Sequence, residues 1–132
     1  MVDTVSSDSK KTVQALYDAA AAGDVERFLG TMHPQFQAKL PGYLPWGGVH
    51  NGPDEFKTNV LPGMASTIDL GSLKLQSMFG EGDKVFATAT AKALRSGEEF
   101  MIGEDWTVKD GKVYRLRLFY FDPTPVFGRI FT

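Results

Sequence analysis

Residues 100–108 read F-M-I-G-E-D-W-T-V, with Phe100, Ile102, Trp106 and Val108 apolar at alternate positions and Glu104 inside the same series. A β-strand turns alternate side chains to opposite faces, so this register demands a half-buried strand whose apolar side other elements must cover. It also aims a carboxylate at the covered side. Burying an ionised carboxylate without a partner costs several kcal/mol, so Glu104 has a hydrogen-bonded partner, sits neutral, or faces a cavity that something polar enters. Asp105, on the opposite parity with Met101, Gly103, Thr107 and Lys109, reads as the ordinary outward-facing acid.

The covering elements come earlier in the chain. Val13, Leu16, Tyr17 and Ala20 recur at helical spacing within residues 9–22, and Gly23 supplies a C-terminal stop. Asp24 then caps a second helix carrying Val25, Phe28, Leu29 and Met32, which the pattern ends near His33-Pro34, with His33 as a cap on free carbonyls. Residues 1–8, small and polar, are expected to form a flexible tail, and residues 9–132 a single domain. Residues 41–53 hold three prolines and four glycines with Tyr43 and Trp46, the composition of an ordered loop. Gly52-Pro53-Asp54-Glu55 opens a third helix that Pro62-Gly63 is expected to break. Four strands follow, at 70–79, 84–94, 99–108 and 112–121, joined by turn-like Gly-rich segments. In the last of them Leu116, Leu118 and Tyr120 share a parity with Asp122, a second carboxylate at the end of an apolar row. Helices first and an antiparallel meander second is an α+β arrangement.

At 132 residues, 42% hydrophobic and 23% charged, the chain is long enough for one buried core. Its formal charge of -2 arises from interleaved signs, with no basic patch to track a phosphate backbone, so nucleic acid is not an expected partner. The absence of cysteine excludes thiolate metal sites and disulfides and favours a reducing, cytoplasmic setting. With only His33 and His50, no histidine-rich metal site is expected either. No apolar run approaches the length of a membrane span, and the N-terminus shows no signal-peptide core.

Four segments carry a family resemblance: L-Y-D-A-A-A-A-G-D at 16–24, W-G-G-V-H-N-G at 46–52, E-D-W-T-V-K-D-G-K-V at 104–113 and F-Y-F-D-P at 119–123. In this order and spacing the chain resembles the nuclear transport factor 2-like superfamily, most closely its SnoaL-like and ketosteroid isomerase-like members. The resemblance implies a conical α+β barrel, a strongly curved antiparallel sheet wrapped around N-terminal helices. It also implies an apolar pocket at the open end and a homodimer built on the outer sheet face, where Met101, Phe119 and Phe121 share the exposed parity. Counted back from D-G-K, Glu104 falls on the position that serves as acid or base in the polyketide cyclases and as the oxyanion-hole acid in the ketosteroid isomerases. Asp122 matches the terminal aspartate of the limonene epoxide hydrolases, although residues 87–94 (A-T-A-T-A-K-A-L) lack the Arg-x-Asp completing that set. The isomerase tyrosine falls on Leu16, beside Tyr17, and its general-base aspartate on Leu40.

The resulting expectation is a cofactor-free isomerase, cyclase or dehydratase acting by proton transfer on a hydrophobic carbonyl compound such as a polyketide or terpenoid. Glu104, Asp122, His50 and Tyr17 are the candidate catalytic residues, Tyr43, Trp46, Phe56, Trp106 and Tyr120 the candidate pocket lining, and no metal is called for. Two alternatives stand beside it. One is a binding protein of the same fold, in which Lys92 pairs with Glu104 across neighbouring strands; the other is an epoxide hydrolase.

Overall fold

The alternation of residues 100–108 holds in the folded chain: Phe100, Ile102, Glu104, Trp106 and Val108 are all buried. The computed structural model describes residues 4–128. The elements are α1 (Thr4–Ala21), α2 (Val25–Gly30), β1 (Met32–Leu40), β2 (Gly48–Asn51), α3 (Gly52–Glu55), a π-helical turn (Phe56–Val60), α4 (Leu61–Thr67), β3 (Ile68–Glu81), β4 (Lys84–Ala93), β5 (Glu99–Lys109), β6 (Lys112–Tyr120) and α5 (Thr124–Phe127). They form a single six-stranded sheet in the order β2-β1-β6-β5-β4-β3. The four-strand meander β3 to β6 is antiparallel, as the sequence predicts.

The strand count and the pairing need correction. Residues 32–40 continue as β1 where the helical pattern was expected to stop, and β1 pairs in parallel with β6, so the sheet is mixed and open rather than wholly antiparallel. Pro34 reads as a breaker, yet it sits where the β1 register shifts between Met32 and Gln37, a place where a missing N–H is tolerated. His33 is therefore a strand residue and no helix cap; its Nδ1 accepts the Gln35 N–H at 2.9 Å. Part of the Gly/Pro loop likewise forms the edge strand β2.

Helix α1 buries Val13, Leu16, Tyr17 and Ala19 and packs on β3, β4, β5 and β6, which supplies the cover that the alternating strands require. Gly23 follows it at φ +68°, a left-handed conformation that costs glycine little. Asp24 caps α2 by accepting the Arg27 N–H at 3.1 Å. Residues 4–8 of the expected tail are helical instead. The β3–β4 turn holds them: the Gly82 N–H donates to Ser6 Oγ at 2.7 Å and Ser9 Oγ donates to the Gly82 carbonyl at 2.9 Å. Residues 1–3 lie outside the described residues. The double substitution Ser6→Ala/Ser9→Ala is expected to cost roughly 2 kcal/mol, read as a lower urea midpoint with an unchanged slope.

The segment 52–67 stays helical through Pro62, where a break was expected. A proline inside an α-helix clashes with the carbonyl four residues back. Here the preceding turn is widened, with the Leu61 N–H reaching the Phe56 carbonyl, and Pro62 enters as one of the first residues of α4. The wide turn lets Phe56, Val60, Leu61 and Met64 all line the same cavity. On the other side of the sheet Phe79, Phe86, Met101 and Phe119 are exposed, and Phe121, just past the end of β6, is exposed too. Gly103 lets the Phe86 ring lie across β5, since a Cβ there would stand 2.9 Å from Phe86 Cζ. Among the described residues no helix is long and apolar enough to cross a membrane.

Candidate active site

A cavity of about 140 Å³ lies between the sheet and the helices, close to the volume that takes one benzene-sized ring in an apolar protein interior. Leu16, Tyr17, Phe56, Ile102, Trp106 and Leu116 are among its buried walls, and Gly23, Asp24 and Val25 at the α1–α2 junction are its exposed members. The lining is almost wholly apolar. Among the described residues Glu104 is the one buried carboxylate in it.

Three elements bring the polar groups together. On β5, Glu104 and Trp106 share the inward parity, and α1 lays Tyr17 against both. The Tyr17 hydroxyl donates to Glu104 Oε1 at 2.7 Å and accepts the Trp106 indole N–H at 3.1 Å. Glu104 Oε2 has no partner among the described residues. Burial pushes the Glu104 carboxyl up to about 7 from an ordinary 4.5, and the Tyr17 hydrogen bond, which favours the carboxylate, offsets only part of that. Tyr17 is itself driven far above the usual phenol range, first by burial and then by the charge of Glu104. Tyr120 on β6 is raised by burial and by the charges of Tyr43 and Glu104. Both phenols therefore stay protonated. Tyr17 spends its proton on Glu104, whereas the hydroxyl of Tyr120, another lining residue, donates to no described residue.

The other sequence candidates divide. Trp46, Phe56, Trp106 and Tyr120 line the cavity, while Tyr43 does not; it is exposed and packs edge-on against Tyr120 from outside. Asp122 falls past the end of β6, exposed, and accepts the Thr124 N–H at 3.0 Å at the start of α5. Its parity with Tyr120 no longer matters once the strand has ended. His50 on β2 is also outside the cavity lining. Its Nε2 donates to the Trp46 carbonyl at 2.8 Å and lies 3.2 Å from the Gly47 carbonyl, tying the loop that carries Trp46. Lys92 makes no pair with Glu104. On β4 the inward series is Val85, Ala87, Ala89, Ala91 and Ala93, so Lys92 is exposed on the outer face opposite Glu99, and Ala87 stands opposite Glu104. Asp24, assigned from sequence only as a helix cap, also lines the cavity mouth. The Trp46 indole N–H is buried with no partner among the described residues. Among those residues no arginine lines the cavity, and no His/Cys/Asp/Glu cluster could hold a metal ion.

Comparison with known proteins gives a match to the SnoaL-like domain over residues 13–116. Among solved structures, TerC co-crystallised with polyporic acid superposes with a TM-score of 0.73 at 24% identity, covering 86% of this chain and 91% of that one. A candidate polyketide cyclase from Sinorhizobium meliloti gives 0.69 at 19% identity, over 83% of this chain and 94% of its own. A candidate ketosteroid isomerase from Kribbella flavida gives 0.74 at 13% identity, over 89% and 80% respectively. At these identities the likeness is one of fold. No curated protein matches.

Proposed function

The chain belongs to the SnoaL-like domain family, and from that premise we propose that it is an enzyme moving a proton between atoms of a hydrophobic carbonyl compound. The observation behind this reading is Glu104, buried in an apolar cavity with one oxygen held by Tyr17 and the other unpartnered. A carboxyl poised near 7 is populated in both forms around neutrality, the condition under which one group removes a proton and returns it. In this scheme Oε2 takes a proton from the carbon next to the carbonyl. The Tyr120 hydroxyl donates to the carbonyl oxygen as enolate charge grows there. Protonated Glu104 then delivers the proton to a second position. One acid-base group completes an isomerisation by itself, so isomerisation is favoured over cyclisation or dehydration. Carbonyl-bearing rings of polyketide, terpenoid or steroid-like type fit the apolar lining, in keeping with the likeness to the two candidate enzymes. Epoxide hydrolysis through an Asp-Arg-Asp set has no support, because no described arginine reaches the cavity.

Because Asp122 and His50 stand outside the cavity, a binding protein remains the competing reading. Deuterium exchange separates the two. In heavy water the protein is expected to wash deuterium into the positions next to the carbonyl of some member of a cyclic enone and diketone panel, and Glu104→Gln to stop it. A compound that binds in the cavity but exchanges no faster than in buffer would favour the binding protein.

The exposed apolar row on the outer sheet face is the proposed contact with a second copy of the chain. Phe119 is 45% exposed and Phe121 85% exposed, a poor arrangement for an isolated subunit. Sedimentation velocity at micromolar concentration is expected to show a dimer that Phe119→Glu converts to monomer. A monomeric parent protein would refute this. The lack of cysteine supports a reducing compartment such as the cytoplasm.

A further inference from the structure

We propose that Trp106 is a positioning residue for this site: its indole N–H fixes the direction of the Tyr17 hydroxyl and so keeps the exchangeable proton of Glu104 on Oε2, the oxygen that Tyr17 leaves unpartnered. This rests on reading Glu104 as the acid-base group. An indole N–H only donates, so at 3.1 Å it makes the Tyr17 oxygen an acceptor. The single hydroxyl hydrogen then has one place to go, Glu104 Oε1 at 2.7 Å. Oε1 is thereby occupied as an acceptor whether the carboxyl is charged or neutral, and a proton arriving on Glu104 settles on Oε2. The reverse arrangement, Glu104 donating to Tyr17, would turn the hydroxyl hydrogen toward no described acceptor. Trp106 cannot swing away to permit it. It is 1% exposed, edge-on to Tyr17 with ring centres 6.3 Å apart, and stacked on Phe36.

The donor also has an electrostatic consequence. A hydroxyl that accepts a hydrogen bond donates a stronger one, so Trp106 supports the charged carboxylate against burial through Tyr17. The titratable groups that face Glu104 are Tyr17 from α1 and Tyr120 from β6, with Asp24 at the cavity mouth; among the described residues no lysine, arginine or histidine lines the cavity. The neighbouring β4 offers alanines. Loss of the indole N–H is therefore expected to raise the Glu104 titration midpoint.

The test follows the Glu104 carboxyl directly, by NMR of the full chain labelled with carboxyl-13C glutamate, using Glu104→Gln to assign the signal. The parent midpoint is expected near 7. With Trp106→Phe, and with 3-benzothienylalanine in place of Trp106 to keep the ring shape without the N–H, it is expected to move up by on the order of 0.5 pH unit. An unmoved midpoint in the benzothienyl variant, folded by circular dichroism, would show Trp106 to be packing alone and overturn the inference. A parent midpoint in the ordinary glutamate range would instead overturn the acid-base reading beneath it. Since no substrate is involved, the two failures are distinct.

Discussion

Glu104→Gln is expected to lower the rate of any proton transfer in the cavity by roughly 10²- to 10⁴-fold, the usual contribution of a positioned acid-base group. Glutamine keeps an oxygen to accept from Tyr17, so fold and ligand binding should survive. Stability supplies an independent reading of the same residue. In the folded chain the carboxyl sits at about 7 against an ordinary 4.5, so the folded state holds the proton more tightly than the unfolded chain does. The stabilisation is complete below pH 4.5 and is lost as pH rises through 7, by roughly 3 kcal/mol in all. The amide does not titrate. Urea midpoints should thus nearly coincide for parent and variant at pH 4.5, and at pH 8 the variant should be the more stable. An ion-paired glutamate predicts the reverse, because cutting such a pair strands the cation. Parallel pH curves, or exchange activity retained in the variant, would remove Glu104 from the mechanism.

The sequence shows Glu104 so clearly because strand parity is a local property: five alternate positions of β5 point one way, and the odd member stands out. The same logic misplaced Asp122, because parity has meaning only while the strand continues and β6 ends at Tyr120. It misplaced Lys92 for a subtler reason. Residues 84–94 carry apolar side chains on both parities, and the large ones, Phe86 and Leu94, lie outside while alanines fill the core side. Volume near α1 decides between the faces, and volume is a tertiary fact. Strand β1 was legible in Q-F-Q-A-K-L, whose Phe36, Ala38 and Leu40 alternate into the core, but Pro34 just before it looked like a stop. The partnership of Tyr17 with Glu104 and Trp106 joins positions 87 and 89 residues apart, and helical spacing shows only that Tyr17 faces inward.

At Gly63 local backbone preference and tertiary packing pull in opposite directions. In sequence, Pro62-Gly63 looks like a helix terminator, and replacing a helical glycine by alanine ordinarily gains up to about 1 kcal/mol. Gly63 nevertheless lies within α4, and a Cβ built there would stand 2.3 Å from Trp46 Cε3 and 2.7 Å from Cδ2. The indole would have to retreat by about an ångström to reach ordinary contact. It has little room, since Trp46 is buried against Phe127 and forms part of the cavity lining. Overpacking of this kind costs about 1–3 kcal/mol, enough to outweigh the helical gain. Gly63→Ala is therefore expected to lower the urea midpoint, shift the tryptophan emission and weaken binding of any cavity ligand. Trp46→Phe, whose single ring keeps a carbon near Cδ2 but has no counterpart of Cε3 and Cζ3, should restore part of the loss, so the two substitutions together should cost less than the sum of their separate effects. Strict additivity, or a stabilised Gly63→Ala variant, would show that helix propensity and not the approach of Trp46 governs this position.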